Sequence, residues 1–347
     1  MLWYRLAADQ GNAEAQYQVG ALYANARGTE VNYAEAMRWY RMAADQGNAS
    51  AQNDIGSLYA SGQGTPQDYA EAMRWYRKAA DQGAAVAQDN IGILFANGWG
   101  VTKDYLKAMH WYRKAADQGN AAALNHMGGL YANGWGVAQD FATAASWYKK
   151  AAEQNDAAAQ VSLGILYQSG WGVPRDYGEA LNWYKKAADQ GNAQAENNIG
   201  VLYANGWGVT QDYAAAMDWY RKAADQDFPL GQANVGVLYR NGWGVAQDYA
   251  EALRWFHKAA DQGNPAAEAS LGSMLALGQG TDTDIAGAVR WFRKAVEQQN
   301  PDAQYGLALL YASGTGVKRD MDRAHHLMKS AAAKGNGDAK KWLEAHR

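Results

Sequence analysis

Residues 193–228 read AQAENNIGVLYANGWGVTQDYAAAMDWYRKAADQDF, and this stretch decides the fold of the chain. Apolar residues recur at helical spacing around Ile199 until Asn-Gly-Trp-Gly at 205–208 interrupts the pattern. A second helical pattern begins after Asp212. Because Asn192 and Asp212 can each cap the free backbone amides of a helix that follows, the stretch predicts two helices, here named helix A and helix B, joined by a glycine loop.

The stretch is one unit of a repeat that runs through the 347 residues with a period of 36. A fixed period of this size is typical of stacked-repeat proteins, in which each unit buries its apolar face against its neighbours. The register predicts an incomplete repeat with helix B alone at 1–12, nine complete repeats at 13–336, and a C-terminal capping helix at 337–347. A tryptophan of helix B marks the period, and we predict that it lies in the core. Its positions are Trp3, Trp39, Trp75, Trp111, Trp147, Trp183, Trp219, Trp255 and Trp291.

Most repeats follow the pattern A-x-A-Q-x-x-[IVL]-G-x-L-Y-x-x-G-x-G-V-x-x-D-Y-x-x-A-x-x-W-Y-x-K-A-A-x-x-G. This pattern resembles that of the Sel-one-like repeat (SLR) family, a relative of the tetratricopeptide repeat, and the resemblance covers essentially the whole chain. It implies an all-α fold, a right-handed α-solenoid (superhelix) of 36-residue antiparallel helix pairs with helix A on the concave side. It also implies a role as an adaptor or scaffold for protein complexes, as among bacterial secreted, periplasmic and host-interaction factors.

Composition and charge restrict the function classes. The chain has 32 Lys and Arg against 35 Asp and Glu, a net charge of −3, so it lacks the basic excess typical of nucleic-acid binding. No apolar run reaches the roughly 18 residues of a membrane helix, no signal peptide is visible, and the compartment stays open. With no cysteine and six scattered histidines, we expect no metal, no cofactor and no catalytic residue.

A polar stripe on helix A is the first candidate binding surface. It occupies the second, fifth, sixth and ninth positions of the helix, and the sixth residue is never large and apolar. A side-chain amide carries both a donor and an acceptor, so a row of asparagines along a groove can pair with the backbone of an extended peptide. The alternative is a solvated helix face without a ligand. The candidate residues are Asn53, Asp54, Asp89, Asn90, Asn125, His126, Asn197, Asn198 and Asn234.

A tryptophan in the loop between helix A and helix B is the second candidate. It occurs in five consecutive repeats, at Trp99, Trp135, Trp171, Trp207 and Trp243. The flanking repeats carry Arg27, Gln63, Gln279 or Thr315 there, so the fold itself does not require tryptophan. Such a row could anchor a protein partner or stack against sugar rings. The alternative is that each indole folds against the next repeat and closes the loop.

These features predict a non-enzymatic protein-interaction scaffold that binds a peptide or protein segment on the concave surface of helix A. A glycan-binding module that uses the loop tryptophans is the second hypothesis, and a weak hydrolase is the third. Neither nucleic-acid binding nor membrane insertion is expected.

Overall fold

The computed structural model describes residues 2–26 and 30–346, and all regular secondary structure in these ranges is helical. Three residues of predicted features lie outside the described residues: Met1 of the partial repeat, Arg27 at the polar loop position, and Arg347 of the capping helix. The helices follow one another in chain order as α1 (Leu2–Asp9), α2 (Ala13–Ala24), α3 (Tyr33–Asp45), α4 (Ala49–Ser61), α5 (Tyr69–Asp81), α6 (Ala85–Asn97), α7 (Tyr105–Ala116), α8 (Ala121–Asn133), α9 (Phe141–Glu153), α10 (Ala157–Ser169), α11 (Tyr177–Ala188), α12 (Ala193–Asn205), α13 (Tyr213–Asp225), α14 (Pro229–Asn241), α15 (Tyr249–Asp261), α16 (Pro265–Leu277), α17 (Ile285–Glu297), α18 (Pro301–Ser313), α19 (Met321–Ala333) and α20 (Gly337–Ala345).

The helices alternate between the two predicted types. Even-numbered helices from α2 to α18 are helix A, odd-numbered helices are helix B, and α20 continues the register of helix A. The chain divides into two compact units, residues 1–175 and residues 176–347. Within each unit, every helix packs against the next helix along the chain. This arrangement of antiparallel helix pairs confirms the predicted all-α solenoid.

The helices begin where the capping residues place them. Asn192 Oδ1 accepts the backbone amide of Ala195 at 2.9 Å, so α12 begins directly after it. Asp212 Oδ1 accepts the backbone amides of Ala214 and Ala215 at 2.9 and 3.0 Å, and α13 begins directly after Asp212. Each bond satisfies an amide that the first turn of a helix leaves free. Both helices of the stretch 193–228 therefore have the predicted starting points.

A glycine in the middle of helix A lets helix B approach closely. A methyl group added to Gly200 would lie 2.6 Å from two ring carbons of Tyr220, so any larger residue would force the helices apart. The Tyr220 ring is buried and occupies the space that the glycine leaves. This contact offsets the roughly 1 kcal/mol that glycine costs relative to alanine within a helix. The same contact pairs Gly20 with Tyr40, Gly56 with Tyr76, Gly92 with Tyr112, Gly128 with Tyr148, Gly236 with Phe256 and Gly272 with Phe292.

The tryptophan that marks the period is less buried than predicted. Trp39 is buried, whereas Trp147 and most of the others are only half-buried. The Lys150 Nζ atom and the guanidinium carbon of Arg113 each lie 4.8 Å from the centre of the Trp147 ring. The prediction that this tryptophan forms the core throughout is therefore wrong. The next residue, Tyr148 in this repeat, is buried instead, because it faces the glycine of helix A.

A buried glutamine near the start of helix A joins it to both neighbouring helices B. Gln52 Nε2 donates to the carbonyl oxygen of Ala44 in the preceding helix B at 3.3 Å. Its Oε1 accepts from Gln82 Nε2, at the end of the following helix B, at 2.7 Å. Both polar atoms of the buried amide are thereby satisfied. The second bond recurs between Gln16 and Gln46, Gln88 and Gln118, and Gln232 and Gln262.

The repeat at 301–336 lacks this second bond. Gln304 is buried, and its Oε1 has no hydrogen-bond partner among the described residues. Lys334 occupies the position of the donating glutamine. Its Nζ instead donates to the carbonyl oxygen of Gln299 at 3.0 Å and to Gln299 Oε1 at 2.9 Å. A buried acceptor without a donor lowers stability, on the order of 1 kcal/mol or more.

We expect Lys334→Gln to stabilise this repeat by about 1 kcal/mol, because a glutamine amide at this position can donate to Gln304. Hydrogen exchange measures the effect locally, and the amides of α18 and α19 should exchange roughly fivefold more slowly. The control is Lys340→Gln in α20, an exposed position where no change is expected. Unchanged exchange in Lys334→Gln would show that the unpartnered oxygen has no measurable cost.

Candidate functional site

The asparagines of the polar stripe pair with one another across repeats. Asn90 Nδ2 donates to Asn53 Oδ1 at 2.9 Å, and Asn234 Nδ2 donates to Asn197 Oδ1 at 2.8 Å. In each pair, the sixth residue of one helix A reaches the fifth residue of the preceding helix A. Asn53 also donates to Asp54 at 3.0 Å. These side chains therefore tie adjacent helices A together, and they have fewer donors and acceptors left for a ligand than a free row of amides would have.

Asp89 and His126 form the same cross-repeat link with different chemistry. His126 Nδ1 donates to Asp89 Oδ1 at 2.8 Å, and the carboxylate is buried. The imidazole lies 4.8 Å from the Tyr112 ring, and 33% of the His126 side chain is exposed. Because Nδ1 is engaged by the carboxylate, Nε2 is the ring nitrogen that remains for a ligand.

Asp54 and Asn197 of the same network are also withdrawn from solvent, Asp54 partly and Asn197 fully. Burial raises the pKa of the Asp54 carboxyl above its ordinary value, and hydrogen bonds with Asn53, Tyr17 and Tyr40 partly offset that rise. Burial, together with the nearby Asp54 charge, also raises the pKa of Tyr17 to about 12. Asn197 is buried as well. The simple alternative of a solvated helix face is therefore wrong for Asn197, whereas Asp54 is half-buried.

The remaining two stripe residues differ from each other. Asn198 forms a hydrogen bond with Tyr184. Asn125 is half-buried, and its side chain makes no hydrogen bond with residues 2–26 or 30–346. Its amide therefore keeps a free donor and a free acceptor directly beside His126 in α8.

The loop tryptophans stack on an aromatic residue at the start of a helix B. The ring centres lie 5.1 to 5.5 Å apart, with interplanar angles of 12° to 28°. The partner belongs to the preceding repeat. The alternative that each indole folds against the next repeat is therefore wrong about which neighbour the indole contacts. The indoles remain 37% to 50% exposed. The pairs are Trp99 with Tyr69, Trp135 with Tyr105, Trp171 with Phe141, Trp207 with Tyr177, and Trp243 with Tyr213.

Two glycines in each of these loops place the indole on its partner. Around Trp135, Gly134 and Gly136 have φ angles of 68° and 72°, a left-handed conformation that other residues rarely adopt. A methyl group on Gly136 would also lie 2.9 Å from Cβ of Tyr105. The loop therefore passes directly over the start of α7. Its tryptophan covers the Tyr105 ring and still presents part of its own ring to the outside.

One cavity brings the two candidate surfaces together. It has a volume of about 320 Å³ and is lined by residues of α8, α9, α10 and their loops. Ser162 and Ile165, the sixth and ninth residues of their helix A, form part of its lining. The stacked pair of Phe141 and Trp171 forms another part, together with Asn133. The cavity thus offers apolar and aromatic surface beside hydrogen-bonding side chains, which suits one or two side chains of a ligand.

Neither a metal-binding cluster nor a membrane-spanning helix occurs in the part of the chain that the structure describes. No group of three or more His, Asp or Glu residues is placed there to hold a metal ion. None of the helices there combines the length and the apolar character that a membrane span requires.

Several solved structures resemble the chain. A protective antigen present in uropathogenic Escherichia coli strains, displaying an SLR fold, is 38% identical, with 98% of this chain and 73% of that chain covered and a TM-score of 0.71. A Sel1 repeat protein from Oxalobacter formigenes is 32% identical, with 70% of this chain and 96% of that chain covered and a TM-score of 0.63. A signal transduction ATPase with a tetratricopeptide repeat sensor from Pyrococcus horikoshii shares the fold at 14% identity, with a TM-score of 0.55 over 96% of this chain and 54% of its own. No curated protein matches the chain significantly.

The family model of the Sel1 repeat matches successive segments of the chain. Proteins built from Sel1 and tetratricopeptide-like repeats are generally protein-interaction scaffolds, and the Sel1 family is typically non-catalytic. The matched segments are residues 1–12, 13–48, 49–83, 85–120, 121–156, 157–192, 193–228, 229–264, 265–300 and 301–336. Because these matches cover nearly the whole chain, and the two Sel1-type structures are more than 30% identical to it, the chain belongs to the Sel1 repeat family.

Proposed function

We propose that the chain is a non-enzymatic scaffold that binds an extended peptide or protein segment on the face of helix A, beside the loop tryptophans. The observation that carries this proposal is the cavity of about 320 Å³ lined by α8, α9 and α10. In this cavity, Ser162 and Ile165 of the helix A stripe lie next to the exposed indole of Trp171. The family's scaffold role supports a protein as the partner.

The groups on and near this cavity have the chemistry of peptide recognition. Asn125 keeps a free amide and His126 a free Nε2, both on α8, which also contributes to the cavity. Trp171 is 50% exposed and can contact an apolar side chain. Extended peptides are bound by hydrogen bonds to the backbone together with pockets for side chains. Tryptophan is also among the residues that contribute most to binding at protein interfaces.

Glycan binding through the loop tryptophans is the second candidate. The observation in its favour is that each indole is fixed on one side by a stacked ring and remains 37% to 50% exposed. A rigid, partly exposed aromatic surface can stack on the apolar face of a sugar ring. The weak-hydrolase hypothesis has no contact among the described residues in its favour.

Panning a library of linear peptides against the full chain provides a probe for the proposed site. We expect the selected peptides to bind Ile165→Lys about tenfold or more weakly than the wild type, because a charge would stand in the cavity. Trp171→Gln should weaken binding of the peptides several-fold. Glutamine is tolerated at this loop position, as Gln63 and Gln279 show. The matched control is Trp243→Gln, whose loop does not line the cavity, and it should leave binding unchanged.

A glycan array probed with the same variants tests the second candidate. Glycans that bind the wild type and are lost in Trp171→Gln and Trp243→Gln alike, with no peptide selected, would favour glycan binding. Peptides that bind Ile165→Lys as tightly as the wild type would show that the helix A face is not the site.

A further inference from the structure

The repeat at 301–336 contains a second, strongly charged cavity, which has no part in the scaffold function proposed above. It has a volume of about 690 Å³ and surrounds the loop between α18 and α19. Two carboxylates, Asp320 and Asp322, are among its lining residues, so the lining carries a net charge of +2 (four cations minus two carboxylates). The four cations are Arg293, Lys318, Arg319 and Arg323.

Lys318, and its combination with Arg319 and Arg323, distinguish this repeat from the other complete repeats. No other repeat has Lys or Arg at the position of Lys318, and none combines basic residues at the positions of Lys318, Arg319 and Arg323. Two of the positions are basic elsewhere as well, as in Lys103 and Lys107 of the repeat at 85–120, so Lys318 and the combination of all three are what this loop adds. Other repeats include threonine at the first position (Thr102, Thr210), glutamine at the second (Gln67, Gln139, Gln211, Gln247) and glutamate at the third (Glu35, Glu71, Glu179, Glu251).

Tyr311 joins two of the guanidinium groups inside the cavity. Arg323 Nη1 donates to the Tyr311 hydroxyl oxygen at 3.4 Å, and Arg293 forms a second hydrogen bond with it from α17. The hydrogen bond from Arg323, followed by that from Arg293, lowers the pKa of Tyr311, although burial opposes the change. The link from a helix B arginine to a helix A tyrosine recurs, as from Arg41 Nη2 to the Tyr59 hydroxyl at 2.9 Å. Arg293 thus belongs to the repeat pattern, and Arg323 is an addition to it.

The ion pair within the cavity leaves donors free. Asp320 Oδ2 accepts from Arg323 Nε at 3.2 Å, and the Asp320 carboxylate also caps α19. Arg319 Nε donates to the carbonyl oxygen of Ala312 at 3.1 Å, which fixes the direction of its side chain. Each guanidinium has five N–H donors, so both arginines keep further donors for an anion.

An apolar cavity adjoins the charged one. It has a volume of about 460 Å³, and Tyr311, Asp322 and Arg323 line both cavities. Its remaining lining includes Leu307, His326 and Leu327. A ligand that fills both cavities therefore needs an anionic group beside an apolar body.

We propose that the two adjoining cavities bind a phosphate monoester whose organic group is apolar or aromatic. A phosphate monoester carries about −1.5 to −2 charges at neutral pH, which matches the net charge of the lining. Arginine suits a phosphate because its planar fork of donors pairs with two oxygens at once. A carboxylate brings a single negative charge and would leave part of the lining charge uncompensated.

Isothermal titration calorimetry of the full chain with phenyl phosphate, inorganic phosphate and benzoate tests this proposal. Phenyl phosphate should bind about tenfold or more tightly than either of the others, because it alone has both the dianion and the apolar body. The variant Lys318→Thr/Arg319→Gln/Arg323→Glu should weaken phenyl phosphate binding by about tenfold or more. It should fold, as circular dichroism can verify, because other repeats carry these residues at the same positions.

Two further variants keep the test specific. Arg323→Gln alone is a smaller change, and it should already weaken binding several-fold. Arg38→Glu/Arg74→Glu changes exposed arginines in other repeats and should leave binding within about twofold of the wild type. No binding of phenyl phosphate by the wild type, or equal binding by the wild type and the triple variant, would overturn the proposal, as would equal affinity for benzoate.

One comparison distinguishes the two possible sources of the phosphate monoester, a phosphorylated protein and a small phosphate ester. A short phosphotyrosine peptide that binds more tightly than phenyl phosphate points to a phosphorylated protein as the source. Equal binding of the two points to a small phosphate ester, because the peptide backbone then contributes nothing.

Discussion

Replacing Gly128 with alanine is expected to destabilise the protein by about 2 kcal/mol or more, although alanine is the better helix former. The new methyl group would lie 2.6 Å from two ring carbons of Tyr148. That ring is buried, so it can move away only if helix B shifts with it. Urea and thermal unfolding followed by circular dichroism measure the loss.

The neighbouring glycine in the same helix is the control. A methyl group on Gly129 would have only the Tyr148 hydroxyl oxygen near it, at 3.8 Å. Gly129→Ala should therefore stabilise α8 by up to about 1 kcal/mol, as expected for a helix position without a packing constraint. Equal effects of the two substitutions would mean that contact with Tyr148 does not explain the glycine at position 128.

Truncating Tyr148 to alanine should cost about 3 to 5 kcal/mol, the range for a large buried aromatic side chain. The adjacent Trp147→Ala should cost less, about 1 to 2 kcal/mol, because the indole is only half-buried and part of its surface meets Lys150 and Arg113. The same unfolding experiments compare the two variants. A larger loss for Trp147→Ala than for Tyr148→Ala would restore the tryptophan as the main core residue of helix B.

The sequence was sufficient to predict the helices because every repeat makes nearly the same local contacts. Asn192 and Asp212 mark two helix starts, and each caps the predicted helix. The 36-residue period then carries that assignment along the chain without a gap. Local signals of this kind depend only on neighbouring residues, so they survive without knowledge of the packing.

The pairing of the polar stripe could not be predicted from the same signals. Asn90 and Asn53 are 37 residues apart, and their hydrogen bond depends on the distance between adjacent helices A. A signal was nevertheless present, since a polar fifth residue in one repeat is followed by a polar sixth residue in the next, as in Asp89 and His126. A single helix face does not show this relation, because it joins positions in two adjacent repeats.

Two other features cannot be recognised from the sequence, for different reasons. The aromatic partner of the loop tryptophan occurs even where the loop lacks tryptophan, as Tyr249 does before Gln279, so its stacking role left no distinctive pattern. The charged cavity left no recognisable motif, because Lys318 and Arg319 lie before the Asp320 cap of α19 and Arg323 lies after it. Only the structure places them around Tyr311.

The central claim is that a protein partner binds on the helix A face beside the loop tryptophans. Site-specific photocross-linking tests it most directly, with p-benzoylphenylalanine placed at Ile165 in the cavity or at Lys149 on the exposed side of α9. The probe is a peptide selected from the library on the wild-type chain. The account predicts that the peptide cross-links from position 165 and not from position 149. Cross-linking from position 149 with none from position 165 would contradict it and would place the partner on helix B.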